Sequence, residues 1–512
     1  HNKKVETNTK NLINIVPKEV SYVTETLENA GFEAYLVGGC VRDLIMGREP
    51  TDWDVTTNAT PEEIIKLFPK TVYENSFGTV AVINEEVNHE TLRQVEVTPY
   101  RLEAKYSDFR HPDRVEFSKD IADDLKRRDF TINALAFRPS AKDGYASDIK
   151  GQLKDTFDGL KDIKESTVRA VGSPDDRFQE DALRMLRAIR FGTQLNFSLA
   201  QETLESISKN SSLIKNISQE RIRDEFVKII MSDSPSAGIV MLQKLGLLKH
   251  IIPELEEGIG CEQGGEHIYD VWNHLLMACQ HAADKKWPLE IRVAALFHDI
   301  GKPRSRRLAT DKNKKKYTFY GHEVIGAKMA VKIMERMKFP KKEIELVEKF
   351  VRNHMFFSDT ELITLSAVRR IIAKVGTENI WLLMNVRECD RVGMKKKEAP
   401  YRLRNYFAMI EEALRDPISV GQLKINGEYL IKDMHIAPGP RMGYILHALL
   451  EEVLEDPTKN TIEGLSKMVL SLNKLSDTEL KALGEKAKEK KQELEEKEVE
   501  KLHSKHGVAK KN

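Results

Sequence analysis

Cysteine is scarce in this chain. Four occur in 512 residues, Cys40, Cys261, Cys279 and Cys389, and no two share a C-x-x-C spacing. That excludes a zinc ribbon and a disulfide framework, and it suits a reducing compartment. Long apolar runs are missing too. None approaches the ~18–20 residues a helix needs to cross a bilayer, and no signal-like leader is visible, so a cytoplasmic protein is expected. An excess of either charge is also lacking. Against 80 Asp and Glu stand 81 Lys and Arg, a formal charge of +1, so composition alone does not announce a nucleic-acid binder. No internal repeat appears. What is present is 40% hydrophobic and 31% charged, a globular composition. At this length one core is not enough, and roughly three or four domains are expected.

Local charge says more than the total. Residues 304–316 include Arg304, Arg306, Arg307, Lys312, Lys314, Lys315 and Lys316, and residues 394–404 hold five more cations. Such runs either neutralise phosphates or are solvated loops. Patterning predicts a helix over 18–31 that stops at Gly31, then a strand at Ala34–Val37. Further strands are expected at Trp53–Thr56, Thr79–Ile83 and Gln94–Thr98, with a helix from Pro61 to Phe68. After Pro174 helical patterns dominate. The expected organisation is an N-terminal segment (1–20), an α/β head with a small mixed sheet (21–148), and an all-α neck (149–262). A helical metal domain (263–395), a helical tail (396–477) and a Lys/Glu-rich C-terminal segment (478–512) follow.

The chemistry begins at Asp52-Trp53-Asp54, which follows Leu36-Val37-Gly38-Gly39-Cys40-Val41-Arg42-Asp43. Carboxylates two apart on a strand share a face. Placed side by side they repel unless a cation lies between them, and hard oxygens suit Mg²⁺. Gly38 and Gly39 would let the backbone approach a triphosphate. Together these describe a metal-dependent phosphoryl or nucleotidyl transfer site. Glu96, between Val95 and Val97, is either a third catalytic carboxylate or a solvent-facing strand residue. Arg42 either grips phosphate or pairs with Asp43. Asp181 and Arg184, three apart, are expected to neighbour each other on one helix. A carboxylate accepting from an exocyclic amine and a guanidinium donating to a ring nitrogen would satisfy cytosine or adenine and leave uracil and guanine unpaired. The alternative is an ordinary helix ion pair.

Four long motifs occur in order. After the Gly-Gly/Asp-x-Asp segment come Arg127-Arg128-Asp129-Phe130-Thr131-Ile132-Asn133-Ala134, then Glu180-Asp181-Ala182-Leu183-Arg184-Met185-Leu186-Arg187-Ala188-Ile189-Arg190, then Ile217-Ser218-Gln219-Glu220-Arg221-Ile222-Arg223-Asp224-Glu225-Phe226. Over roughly residues 30–250 the chain resembles the class II tRNA nucleotidyltransferases, the CCA-adding enzymes, and their bacterial poly(A) polymerase relatives. The resemblance implies addition of C, C and A to the tRNA 3′ end at the acceptor stem, with CTP and ATP as substrates and Mg²⁺ held by Asp52 and Asp54. It also implies a triphosphate or ribose contact for Arg128, an ordering role for Asp129 and Asn133, base selection by Asp181 and Arg184, and phosphate contacts for Arg187 and Arg190. The Tyr100–Pro112 stretch resembles the flexible loop of full CCA-adding enzymes, and Ser218-Gln219-Glu220-Arg221 looks like that branch too. The Gly-Arg-Arg-Phe-Arg-type segment of poly(A) polymerases is absent there. One departure lies at Tyr73-Glu74-Asn75-Ser76, where the family often has a glycine.

Phe297-His298-Asp299-Ile300-Gly301-Lys302 looks like the signature of an HD phosphohydrolase domain. It implies His274, His298, Asp299 and Asp390 as ligands, with His322 and His354 for a second position. Imidazoles favour a transition metal such as Ni²⁺, Co²⁺ or Mn²⁺. Hydrolysis of phosphoesters, 2′,3′-cyclic ends included, is the expected chemistry there. Other readings are a poly(A) polymerase, a phosphohydrolase whose head only binds nucleotide, and a non-catalytic RNA-binding protein. The intact carboxylate pair argues against the last. No membrane and no protein partner is implied.

Overall fold

The computed structural model describes residues 16–74, 78–104, 114–139, 153–264, 267–308, 317–356, 363–395, 400–481 and 483. Two compact units divide the chain, His1–Pro253 and Glu254–Asn512.

The first unit opens with α1 (Lys18–Asn29), which ends where Gly31 takes φ +89°. β1 (Ala34–Val37) has all four residues buried, and α2 (Gly39–Ile45) follows directly. β2 (Asp54–Thr57) leads to α3 (Pro61–Leu67), which is set by a capping box between Thr60 and Glu63 with proline at its first turn; both devices satisfy or remove otherwise orphaned N–H groups. The strands β3 (Thr71–Glu74), β4 (Thr79–Ile83) and β5 (Gln94–Pro99) complete one side of the sheet. A small antiparallel pair, β6 (Arg101–Ala104) and β7 (Arg114–Phe117), and α4 (Ile121–Lys126) come next, then β8 (Leu135–Phe137) and β9 (Leu153–Asp155). The main sheet runs β3-β4-β5-β2-β1-β8-β9, with β2 and β5 parallel and the other neighbours antiparallel. Tyr35, Val37, Tyr100, Ile121, Leu125 and Ala136 form a buried cluster beside it.

Helices follow the sheet. They are α5 (Gly159–Lys164), α6 (Pro174–Glu180), α7 (Leu183–Leu195), α8 (Gln201–Asn210), α9 (Gln219–Ile230), α10 (Pro235–Lys244) and α11 (Leu248–Ile251), with a two-residue parallel bridge of β10 (Thr167–Val168) to β11 (Ser198–Leu199). α10 packs closely on its neighbours. A Cβ on Gly238 would stand 2.5 Å from Ile229 Cγ2 and 2.9 Å from Thr193 Cγ2.

α12 (Pro253–Glu256) lies at the division. The second unit then holds α13 (Val271–Asp284), α14 (Leu289–Phe297), α15 (Lys302–Ser305), the two-residue strands β12 (Arg307–Leu308) and β13 (Tyr317–Thr318), α16 (His322–Arg336), α17 (Lys341–Asn353), α18 (Leu365–Val375), α19 (Ile380–Asp390) and α20 (Pro400–Ala413). Its last helices, α21 (Gly427–Lys432), α22 (Pro440–Glu455) and α23 (Ile462–Leu472), enclose a core that includes Leu430, Ile445, Leu449, Leu465 and Val469. Among the described residues no helix is long and apolar enough to cross a membrane. Residues 105–112 of the expected loop, Asn75 and Ser76, the cations at 312–316 and the charged segment beyond Leu483 lie outside the described residues.

Candidate active site and metal centre

Gly38 adopts φ +80°, a conformation that side chains rarely take, and it turns the chain from β1 into α2. A Cβ there would stand 3.0 Å from Arg128 Nη1 and 3.7 Å from Asp54 Oδ2. One on Gly39 would stand 3.7 Å from Arg42 Nη2 and 4.0 Å from Asp52 Oδ1. Both carboxylates and two guanidiniums therefore flank the same bare turn. The route to this arrangement differs from the sequence expectation. β2 starts at Asp54, and Asp52 lies in the exposed bend before it, so the two do not share a strand face. The bend, following Pro50, brings Asp52 round to the turn instead. Glu96 is the register partner of Asp54 on the adjacent parallel strand, which puts both on the same side of the sheet. Burial, then Asp52, then Glu96 against the opposing Arg128, push the Asp54 carboxyl up to about 7. A carboxylate cluster that resists its own ionisation is one a bound cation would relieve.

Ion pairs surround this cluster. Arg42 is buried, donates from Nε to Asp43 at 2.9 Å and from Nη1 to Asn133 Oδ1 at 2.8 Å, so its pairing with Asp43 is real. Arg128 donates to Asp124 at 3.0 Å, a carboxylate that Arg127 also holds at 2.6 Å. Asp129 accepts from Arg187 at 2.7 Å and from the Phe130 N–H at 2.9 Å, with Asn133 Nδ2 at 3.4 Å. Burial would raise Asp129, but Arg187 and Arg184 hold it down at about 2. Arg190 pairs with Glu225 at 3.0 Å, and both are buried.

Asp181 and Arg184 do not lie on one helix. α6 ends at Glu180, Asp181 is extended (φ −143°, ψ 103°), and α7 begins at Leu183. Aspartate competes poorly in a helix interior and favours helix starts; here Asp181 Oδ1 accepts from the Leu183 N–H at 3.1 Å. Its carboxylate meets the Arg221 fork at 3.2 and 2.7 Å. Arg184 instead donates to Glu180 at 2.6 Å and to the Arg127 carbonyl at 3.2 Å. Glu180 and Arg221 were quoted in the motifs but given no role from sequence; a partner 40 residues away in sequence leaves no local signal.

The second unit gathers the other predicted ligands. His274, His298, Asp299 and Asp390 bring ligand atoms within 4.8 Å of one another, as do Asp299, His322 and His354. Nδ1 of each histidine faces a backbone carbonyl: Val392 for His274 (3.1 Å), Ala295 for His298 (2.8 Å), Phe319 for His322 (2.8 Å) and Val351 for His354 (2.7 Å). A carbonyl only accepts, so each Nδ1 donates and each neutral ring turns its Nε2 lone pair inward. Those lone pairs confront one another, His274 to His298 at 3.0 Å and His322 to His354 at 3.3 Å. Asp299 lies between the pairs. Its Oδ2 is 3.4 and 3.3 Å from His274 and His298, and its Oδ1 is 3.1 and 3.6 Å from His322 and His354. Both oxygens are buried without a hydrogen bond of proper geometry. Burial opposes charging His298, yet without a cation Asp299 and Asp390 outweigh it and push His298 up to about 10; a bound cation would supply that positive charge and leave the ring neutral. The donor set thus fits divalent cations, with one carboxylate shared between two positions. Lys302 and Gln263 were missed: Lys302 Nζ lies 2.5 Å from Asp299 Oδ2 and donates to Gln263 Oε1 at 2.7 Å. The lysine was visible in the His298–Lys302 run; the glutamine had no signal.

The fold and its two acid-rich centres are those of a nucleotidyltransferase head joined to an HD domain. Family models match accordingly: the poly A polymerase head domain over residues 34–169, the probable RNA and SrmB-binding site of polymerase A over 196–259, and the HD domain over 264–395. The CCA-adding enzyme of Ligilactobacillus salivarius is 33% identical over 442 residues, covering 85% of this chain and 92% of that one. That of Lactobacillus helveticus is 49% identical over 208 residues, 40% of this chain and 48% of its own length. The chain belongs to the CCA-adding enzyme family. Among solved structures, the Bacillus stearothermophilus CCA-adding enzyme in complex with CTP superposes with a TM-score of 0.63 at 24% identity, covering 90% of this chain and 99% of that one. The Thermotoga maritima CCA-adding enzyme complexed with tRNA gives 0.52 at 20% identity, covering 91% and 99%. At such identities these two speak for the fold.

Proposed function

We propose that this chain adds C, C and A, without a nucleic-acid template, to the 3′ end of tRNA, using CTP and ATP and releasing pyrophosphate. The observation that carries the reading is the cluster of Asp52, Asp54 and Glu96 against the Gly38-Gly39 turn, in a chain matched almost end to end by a CCA-adding enzyme. Asp52 and Asp54 would hold Mg²⁺, which when bound activates the primer hydroxyl and steadies the leaving pyrophosphate. Gly38 and Gly39 admit the triphosphate, and Arg42, Arg128 and Arg187 meet its charge, kept in place by Asn133, Asp124 and Asp129 respectively. Arg190, buried against Glu225, backs them. Asp181 and Arg184 select the base. The Asp181 carboxylate keeps lone pairs beyond those that Arg221 uses, and the Arg184 fork keeps donors beyond those directed at Glu180 and Arg127, so both can read a base edge with their supports in place. The partner is the acceptor end of tRNA, and the setting is the cytoplasm.

The second unit is proposed as a separate metal-dependent phosphohydrolase. His274, His298, Asp299 and Asp390 form one metal position, and Asp299, His322 and His354 the other. Ni²⁺, Co²⁺ or Mn²⁺ suits four imidazoles better than Mg²⁺ does. One assay tests the main reading: tRNA transcripts ending in the discriminator base are incubated with CTP and ATP, and their 3′ ends are sequenced. C-C-A ends are expected. Runs of A, with CTP left unused, would make the chain a poly(A) polymerase instead.

A further inference from the structure

Phe191 collects three guanidiniums on one ring. The side chain is 5% exposed, on α7. The guanidinium carbon of Arg190 lies 4.2 Å from its centroid, that of Arg42 5.2 Å and that of Arg187 5.5 Å. Phe130 meets the ring edge-on, at 5.7 Å and 79°. The cations arrive from different elements, Arg42 from α2 beside the Gly38-Gly39 turn and the other two from α7. Arg42 has Asp43, Arg187 has Asp129 and Arg190 has Glu225. Three like charges this close repel, the more so because Arg42 and Arg190 are buried, and the negative face of an aromatic ring offsets part of that repulsion. An aliphatic side chain would fill the same volume without any such effect.

We propose that Phe191 is a positioning residue for nucleotide binding: its ring face fixes Arg42 and Arg187 at the spacing in which they meet the triphosphate, with Arg190 as the charge behind them. The proposal rests on the assignment of those arginines to the triphosphate. It predicts a contribution that depends on the electron density of the ring rather than on its bulk. Phe191 touches no reacting atom in this scheme, so its effect belongs in KM for both nucleotides, with base choice unchanged.

The test is a fluorination series in the full chain. Phe191 is replaced by 4-fluoro-, 3,5-difluoro- and 3,4,5-trifluorophenylalanine, which drain the ring face while nearly preserving its shape. KM for CTP and ATP should rise together and stepwise, reaching about 5- to 30-fold with three fluorines, while kcat stays within about threefold. Thermal unfolding should barely move across the series, since packing is retained. Constant KM through the trifluoro variant would overturn the role of Phe191. Arg42→Ala and Arg187→Ala separate the two levels of inference. If they raise KM while the fluorinated series is flat, only the positioning role falls. If they leave KM unchanged, the triphosphate assignment falls and the proposal falls with it.

Discussion

Asp54 has one register partner that matters, Glu96, and one bare turn in front of it, Gly38-Gly39. Removing its carboxylate while keeping the shape tests whether charge at that point drives the chemistry. Asp54→Asn, and likewise Asp52→Ala, should lower nucleotide addition by about 10³-fold or more, because metal positioning is worth several kcal/mol in such sites. Binding of tRNA, measured by filter retention, should change by less than about threefold, since phosphate contacts supply most affinity. Near-normal addition by either variant would remove them from the metal site. Base choice is a second matter at this scale. Arg221→Ala leaves Asp181 without its fork, and Arg184→Ala removes the proposed donor to the ring nitrogen. Both should raise misincorporation of UTP or GTP relative to CTP and ATP by about tenfold, roughly the effect of one lost buried hydrogen bond to a charged group. A uniform loss of rate with selectivity intact would make the whole cluster structural. The residues that gather in the two clusters were legible in the sequence, because carboxylate pairs, a Gly-Gly turn and a His-Asp run are types that carry chemistry wherever they fall. Their partners were not. Asp129 with Arg187 and Asp181 with Arg221 are decided by how elements pack, and the motif spacing says nothing of that.

Elements were readable in proportion to their length and punctuation. α1 with its Gly31 stop, α3 with its Thr60-Pro61 start, and the strands β1, β4 and β5 all stand where patterning puts them. β8 and β9 were not read, since three-residue strands are too short to show a period. The break between α6 and α7 was hidden because both flanks are helical and no glycine or proline marks the joint; Asp181 marks it by bonding to the Leu183 N–H. At Gly301 the sequence showed the glycine but not its reason. Its φ is −78°, so the backbone needs no special freedom. Space is the constraint: a Cβ would lie 2.3 Å from the His322 carbonyl oxygen and 2.6 Å from the Gly326 nitrogen, both on α16. Backbone cannot step aside as a side chain can. Gly301→Ala should therefore push α16 and His322 off the metal centre, cost about 1–3 kcal/mol or more by denaturant titration, and weaken Mn²⁺ binding by calorimetry. Unchanged stability and metal affinity would show that α16 shifts freely.

At the scale of the whole chain, two chemistries occupy two compact units, each with its own buried core. The head offers carboxylates, hard ligands for Mg²⁺, whereas the second unit offers four imidazoles around Asp299. The different metals proposed for them, together with separate cores, predict that the proposed activities are separable. His298→Ala combined with Asp299→Ala removes a ligand common to both proposed metal positions together with its neighbour, so Mn²⁺ or Ni²⁺ binding by calorimetry should disappear. Any hydrolysis of 2′,3′-cyclic phosphate by the wild-type chain should vanish with it. C-C-A addition in Mg²⁺ should stay within about twofold of wild type, because the altered groups belong to the second compact unit and the Asp52/Asp54 cluster to the first. The double substitution also leaves Lys302 buried beside a lost carboxylate, which is costly, so helicity by circular dichroism must be compared with wild type. Should the double variant keep its helicity and still lose C-C-A addition, the two centres are coupled and the division of labour proposed for the two units is wrong.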